Sequence, residues 1–256
     1  MTRIYRFSYI AKLSLCMLAS SAWSQDLPNT TRVQWGVSGG VNRYQEKGLM
    51  QLQGPEIGVH AKLTQWSALP SVQWEADVLL GKQKYTSEGS GSMTGVTNLE
   101  TRWRALTPVF SNEPTNQGFL TGLAVHTLWN DLRGTTTFNQ KTYGGYERSA
   151  AQLWLPVRWS SGDMWDLDAG LLLYGRHTSK LSQVNTNYSD IVNTQHRGQY
   201  AQVSVNLALG NGGTLKPFVR YTHLGNSNIV VMNGDPWIEP ESHRWQIGAI
   251  WEFNAR

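Results

Sequence analysis

Paired carboxylates and a few histidines are the residues of this chain whose types and spacing could do chemistry. Glu75 and Asp77 are two positions apart, as are Asp166 and Asp168, so within a β-strand both members of each pair point the same way. Two carboxylates held together can perform acid–base chemistry on a bound substrate. His223 is a candidate general base, a role in which a histidine needs a hydrogen-bonded nucleophile.

The elements that must position these residues are β-strands. Ten stretches alternate apolar and polar residues, and this period of two is typical of strands with two unlike faces. Three of the apolar sets are Val33, Trp35, Val37, Gly39 and Val41; Val72, Trp74, Ala76, Val78 and Leu80; and Phe119, Thr121, Leu123, Val125, Thr127 and Trp129. The intervening positions carry amides and carboxylates such as Gln34 and Gln73.

This pattern predicts an all-β fold, an antiparallel transmembrane β-barrel with its apolar face toward lipid and its polar face inside. We expect ten strands, with eight or twelve as alternatives, and a soluble β-sandwich or lipocalin-like barrel as the competing class. The predicted strands are near 32–44, 56–66, 71–85, 98–109, 118–130, 149–159, 164–178, 199–209, 214–225 and 243–253.

The connections between these strands alternate in length. Short turns are predicted around 67–70, 110–117, 160–163 and 210–213, and longer loops around 45–55, 86–97, 131–148, 179–198 and 226–242. In bacterial transmembrane barrels the short turns are periplasmic and the long loops extracellular. Both termini are therefore expected on the periplasmic side.

The first 24 residues have the composition of a secretory signal peptide. A basic front, an apolar core from Leu13 to Ala19 and small residues at Ala22 and Ser24 predict cleavage before Gln25, with an earlier cut after Ser21 or Ala22 as the alternative. Residues 25–256 would then form the barrel. Loss of three basic and no acidic residues lowers the formal net charge from +4 to +1, so the composition does not favour nucleic acid as a partner. The single cysteine, Cys16, lies in this leader.

Charged residues dominate the face that is predicted to point inward. Because an uncompensated buried charge costs several kcal/mol, we expect these residues to pair across the lumen. The predicted lumen network is Lys62, Glu75, Asp77, Glu100, Arg102, Arg104, Arg158, Asp168, Arg176, Arg220 and Arg244. Ten strands enclose a space that side chains nearly fill, so a wide channel is not expected.

Aromatic residues near the strand ends predict a girdle at each membrane interface. The predicted girdle is Trp35, Trp74, Trp103, Trp129, Trp159, Trp165, Trp251 and Phe253. The last strand, from Gln246 to Phe253, also resembles the C-terminal insertion signal of bacterial outer-membrane proteins, although three residues follow Phe253.

The carboxylate pairs bear comparison with the omptins, ten-stranded outer-membrane proteases that use acidic residues and an Asp–His pair near the extracellular rim. The predicted architecture is similar to that of omptins and of Opc-type adhesins. Both carboxylate pairs, however, are expected toward the periplasmic side, with no histidine beside Glu75 and Asp77, so no omptin site is carried over to this chain.

The segment His223-Leu224-Gly225-Asn226 resembles the His-x-Ser-Asn segment of outer-membrane lipid A deacylases. The resemblance implies a rim histidine that faces lipid, and His177 and His243 are predicted to face outward at the same rim. Gly225 stands where the nucleophilic serine belongs, which leaves Ser227 or Ser242 as substitutes.

The segments 48–55, 179–185 and 195–198 resemble stretches of a group of small, largely uncharacterised proteobacterial outer-membrane barrel proteins. The leading interpretation is a non-enzymatic outer-membrane barrel with an ion-paired lumen and loops for surface interaction or ligand binding. The alternatives are a lipid A-modifying hydrolase and a narrow solute channel. The expected partners are outer-membrane lipids, lipopolysaccharide and the barrel assembly machinery. No cofactor is expected, because the loops contain no metal-ligand cluster or phosphate-binding loop.

Overall fold

The computed structural model describes residues 31–65, 71–109, 117–136, 144–162, 164–210 and 212–254. The predicted leader, residues 1–24, lies outside the described residues, so its assignment remains a prediction. Within the described ranges, no helix has the length and apolar character needed to span a membrane.

Fourteen β-strands and one short 3-10 helix, Leu181–Gln183, make up the described chain. The strands are β1 Thr31–Glu46, β2 Met50–Gln65, β3 Val72–Ser87, β4 Gly91–Pro108, β5 Gln117–Asp131, β6 Glu147–Ser161, β7 Trp165–Ser179, β8 Ile191–Gln195, β9 Gly198–Val205, β10 Leu207–Ala208, β11 Thr214–Leu224, β12 Val230–Met232, β13 Asp235–Trp237 and β14 Ser242–Asn254.

The strands close into an antiparallel barrel. Each of β1 to β7 pairs with the next, β7 pairs with both β8 and β9, and β9 and β10 pair with β11. The ring is completed when β11 pairs with β14 and β14 pairs with β1. β8, β9 and β10 lie end to end in one position of the ring, so the barrel has ten strand positions. The prediction of an all-β, ten-stranded antiparallel barrel is confirmed.

The strands reach farther toward the long loops than predicted. Two predicted loops, 45–55 and 86–97, are mostly strand, and their turns span only 47–49 and 88–90. The predicted loop 179–198 likewise contains β8. The alternation of apolar and polar residues ends where the strands leave the apolar band, because a strand with water outside needs no apolar face. The sequence pattern therefore underestimates strand length at this end.

The final long connection contains a hairpin, formed by β12 and β13. Its turn is Asn233-Gly234, and both residues have positive φ, 55° and 88°. This conformation is that of a type I′ turn, which matches the twist of paired strands and favours the Asn-Gly sequence. The loop is thereby given a defined structure of its own.

A β-bulge in the pairing of β6 with β7 exchanges the predicted inward and outward faces in the last part of β7. The register of this pair shifts between Leu153 and Trp154, so Leu173 and Tyr174 of β7 are both exposed. Beyond that point Arg176 is exposed and His177 is buried. The prediction of Arg176 in the lumen and His177 outside was wrong, because the alternation was extended through the bulge.

Candidate functional site

The interior of the barrel carries a buried ion-pair network, and its lower part is built around Glu75 at the end with the short turns. The Glu75 carboxylate accepts hydrogen bonds from Arg158 at 2.5 and 2.9 Å and forms an ion pair with Arg104 at 2.7 Å. Asp168 contacts the same two arginines, at 2.6 Å from Arg104 and 3.0 Å from Arg158. Two carboxylates and two guanidinium groups from four strands thus form a charge-balanced ring. All four side chains are less than a tenth exposed.

A second part of this network joins Asp77 to a histidine. His60 Nδ1 lies 2.7 Å from Asp77 Oδ1, and its Nε2 lies 3.6 Å from a carboxylate oxygen of Glu252. The expectation that no histidine lies beside the Glu75/Asp77 pair was therefore wrong. His60 and Asp77 are direct register partners of β2 and β3, so the pairing of this hairpin brings them together.

Two lysines near the short-turn end also lie beside carboxylates. Lys216 forms an ion pair with Asp166 at 2.7 Å. Lys62 lies directly opposite Glu75 in the β2–β3 register. These pairs extend the network from the ring around Glu75 to the lower mouth of the barrel.

The middle of the lumen holds a second group of charges around Glu100. Arg102 donates to Glu100 at 2.7 Å, and Arg244 on the opposite wall also binds Glu100. Gln246 accepts a hydrogen bond from Arg102 and donates one to Glu56 at 2.8 Å. These contacts connect strands on both sides of the ring across the lumen.

Arg220 has an aromatic partner. Its guanidinium carbon lies 4.2 Å from the centre of the Tyr200 ring, a cation–π arrangement, and the Tyr200 hydroxyl donates to Asp168 at 2.8 Å. Tyr200 in turn packs with Trp154, Ala124, Leu172 and Leu224 in an apolar cluster inside the barrel. Alternation alone does not reveal this cluster, because it assigns the whole inward face to polar residues.

Arg148 is a further lumen charge, outside the predicted network. It lies near the long-loop end and binds Glu46 at 2.7 Å as well as Glu239. Glu239 belongs to the segment between β13 and β14, so this ion pair draws the last long loop into the mouth of the barrel. No signal in the alternation pattern could have placed a loop carboxylate there.

Apolar clusters fill the same mouth. One consists of Leu52, Tyr85 and Val96 on the extended strands with Leu132 just after β5, and another of Leu181, Ile191 and Met232. Two cavities within the barrel have volumes of about 40 and 30 Å³. Spaces of this size hold only a few water molecules, and neither is a channel.

The outer wall at the same end carries His223. Its Nε2 lies 2.8 Å from Glu241 Oε1, and His243 Nε2 lies 3.5 Å from the same oxygen. The sequence pattern does not predict this group, because Glu241 lies in a loop and the two histidines are on different strands. Strand pairing places His223 directly opposite His243.

Neither serine suggested by the sequence is positioned as a nucleophile for His223. The Ser227 hydroxyl donates to the carbonyl of Asn228 at 2.8 Å and accepts the Glu239 N–H at 2.8 Å. Ser242 is only 3% exposed, whereas His223 is on the outward face. The geometry gives no support to a serine hydrolase built on His223.

The predicted aromatic residues are distributed unevenly between the two ends. Trp35, Trp74, Trp159, Trp165 and Trp251 are all exposed large aromatics in the half of the barrel near the short turns. In the same half, Phe253 contacts both Trp35 and Trp251, with ring centres 4.9 and 4.7 Å apart. Trp103 is half-buried between the two ends, and Trp129 is near the long-loop end of β5. Trp245, exposed at the long-loop end, was not in the predicted set.

No protein-family model and no curated protein matches this chain. Among solved structures, the outer membrane protease OmpT from Escherichia coli matches over 90% of this chain and 99% of its own, with 10% identity and a TM-score of 0.36. The translocator domain of the autotransporter NalP from Neisseria meningitidis matches over 98% and 99%, with 10% identity and a TM-score of 0.46. The β domain of the Bordetella autotransporter BrkA matches over 88% and 100%, with 14% identity and a TM-score of 0.46. All three TM-scores are below 0.5. The ten-stranded barrel is therefore established by the strand pairing of this chain itself.

Proposed function

We propose that the protein is an integral outer-membrane β-barrel that acts through contacts at its long-loop end and has no pore. The observation that carries this proposal is the inversion of its two faces. Side chains such as Val59, Leu123 and Leu171 are more than half exposed on the outside, while Glu75, Arg104 and Asp168 are buried inside. Such a surface is stable only in an apolar solvent.

The height of the apolar face supports a membrane location. On β5 the outward residues from Phe119 to Trp129 are apolar or threonine. Ten residue steps at about 3.3 Å, with a strand tilt of about 40°, give a band about 25 Å tall. This is the thickness that a transmembrane barrel presents to the hydrocarbon core.

Basic side chains on the outer wall favour lipopolysaccharide as a neighbour. Arg43, Lys82, Lys84 and Arg176 are all exposed, and each lies on the long-loop side of the outward apolar residues of its own strand. Cations at this height are suited to bind the phosphate groups of an anionic outer leaflet. On this proposal the long loops are extracellular and the aromatic residues near the short turns lie at the periplasmic interface.

The proposed contact surface is the β12–β13 hairpin. Ile229, Val231 and Ile238 are 62, 68 and 43% exposed, whereas Met232 on the other face packs against Leu181 and Ile191. Because the packing of Met232 holds the hairpin in place, its apolar surface can bind a partner with little loss of conformational entropy. The export leader at residues 1–24 and insertion by the barrel assembly machinery belong to the same proposal.

Two experiments test this proposal. Reconstitution in planar bilayers should give no conductance steps, because the ion-pair network and the apolar clusters fill the lumen. Stable steps in the wild-type protein would favour the narrow-channel alternative instead.

Surface exposure of the hairpin can be tested by cysteine labelling of intact cells. Val231→Cys should react with a membrane-impermeant maleimide, whereas Leu209→Cys near the short turns should react only after lysis. The reverse pattern would contradict the proposed orientation.

A further inference from the structure

His223, Glu241 and His243 form a compact group of possible metal ligands on the outer wall. One ligand atom from each residue lies within 4.8 Å of the other two. The two histidines are direct cross-strand partners of β11 and β14, and their rings are stacked with centres 5.0 Å apart. Their side chains are 28 and 34% exposed, and that of Glu241 is 53% exposed, so ions can reach the group from solvent.

Neighbouring groups orient these side chains. The Tyr221 hydroxyl lies 2.7 Å from His243 Nδ1, which leaves Nε2 of that ring directed toward Glu241. The backbone N–H of Glu241 donates to the Asn226 side chain at 2.7 Å, which fixes the start of β14 beside the end of β11. Hydrogen bonds of this kind to the second ring nitrogen hold metal-binding histidines in position.

We propose that these three residues bind a divalent transition-metal ion of the zinc class. Two imidazole nitrogens and one carboxylate are a ligand set that Zn²⁺ accepts, with a fourth position left for water or another ligand. Tetrahedral coordination at about 2.0–2.1 Å requires ligand atoms about 3.3 Å apart. The observed separations from Glu241 Oε1, 2.8 Å to His223 and 3.5 Å to His243, lie on either side of that value. Two of the three ligand separations are therefore close to tetrahedral geometry, and the third, between the two imidazole nitrogens, is within 4.8 Å.

An alternative explanation is that Glu241 only forms ion pairs with protonated histidines. Imidazole and carboxylate groups on facing strands need no metal for that interaction. The two explanations predict different results for metal titration and for replacement of Tyr221. Tyr221 contacts Nδ1 of His243, whereas the proposed ion binds Nε2 of that ring. The proposal does not depend on the membrane function of the barrel, because it concerns only these side chains.

Metal binding can be measured on the protein extracted in detergent, without a histidine tag and after chelator treatment. Titration with Zn²⁺ should show one saturable site, and Co²⁺ should give the intense visible absorption of a tetrahedral complex. His223→Ala, His243→Ala and Glu241→Gln should each weaken Zn²⁺ binding at least tenfold, and Tyr221→Phe about tenfold. His196→Ala is the matched control, since His196 is an exposed histidine that packs on Tyr174 and does not belong to the group of three possible ligands.

Folding of each variant is checked by its heat-modifiable migration in detergent gels. Acidification should weaken binding, because protons compete with the metal for imidazole nitrogens. The proposal is overturned if the folded wild-type protein shows no saturable Zn²⁺ binding. It is also overturned if His196→Ala loses as much affinity as His223→Ala, or if Glu241→Gln and both alanine variants bind as tightly as wild type.

Discussion

Replacement of Glu75 by Gln tests the lumen network at the point where its charges converge. Glu75 makes contacts of 2.5 and 2.9 Å with Arg158 and of 2.7 Å with Arg104. Removal of one partner from a buried ion pair costs about 3–5 kcal/mol, because a buried charge is left uncompensated. Asp168 still binds both arginines in the variant, so we expect the lower end of this range, about 3 kcal/mol of unfolding free energy.

The measurement is urea-induced unfolding in phospholipid vesicles, followed by tryptophan fluorescence. Glu88→Gln is the control, because Glu88 is an exposed residue in the β3–β4 turn and should change stability by less than about 0.5 kcal/mol. A double variant, Glu75→Gln with Arg158→Gln, should be less destabilised than the sum of the two single variants. Equal stability of Glu75→Gln and Glu88→Gln would refute the claim that the network supports the barrel.

Three further perturbations test other parts of the structure. Val78→Arg, in the apolar outer face of β3, should cost about 2–4 kcal/mol and reduce membrane insertion, whereas Gln73→Arg on the inward face should have a smaller effect; equal effects would contradict the assignment of faces. Gly40→Ala should destabilise the barrel by about 1–3 kcal/mol, because the added Cβ would lie 2.5 Å from the carbonyl oxygen of Ile247, while Gly39→Ala meets nothing within 4 Å and should unfold like wild type. Glu239→Gln should make the segment 225–241 more sensitive to protease on intact cells, because its ion pair with Arg148 is weakened; unchanged cleavage would argue against this contact.

Much of the fold could be predicted from the sequence because one physical requirement acts on every strand. A residue inside the apolar band faces either outward or into the lumen, so strands such as β1 and β5 show period-two alternation. The same requirement explains where prediction failed. Beyond the band both faces can be polar, so the outer parts of β2 and β4 were interpreted as loops. A bulge cannot be recognised from alternation alone, and it exchanged the positions of Arg176 and His177.

The contacts of the candidate sites were less predictable than the strands. Alternation assigns His60 and Asp77 to one face, but only the register of β2 and β3 makes them partners. If β2 and β3 are paired as a hairpin joined by the short turn predicted around 67–70, His60 and Asp77 lie opposite each other. This pairing could have revealed the contact from the sequence. The group of His223, Glu241 and His243 depends on pairing between β11 and β14 across a long loop with its own hairpin. Nothing in the local sequence fixes that register.

The most direct test of the central claim is a spin-label scan along β5 in lipid vesicles. The only cysteine is Cys16 in the predicted leader, so single cysteines can be introduced without further changes. Labels at Leu123 and Val125 should be accessible to oxygen, which dissolves in hydrocarbon, and protected from a water-soluble nickel complex. A label at Ala124, which is 1% exposed, should be inaccessible to both reagents. Nickel access at the outward positions equal to that of a label in the β3–β4 turn would contradict a membrane-embedded barrel.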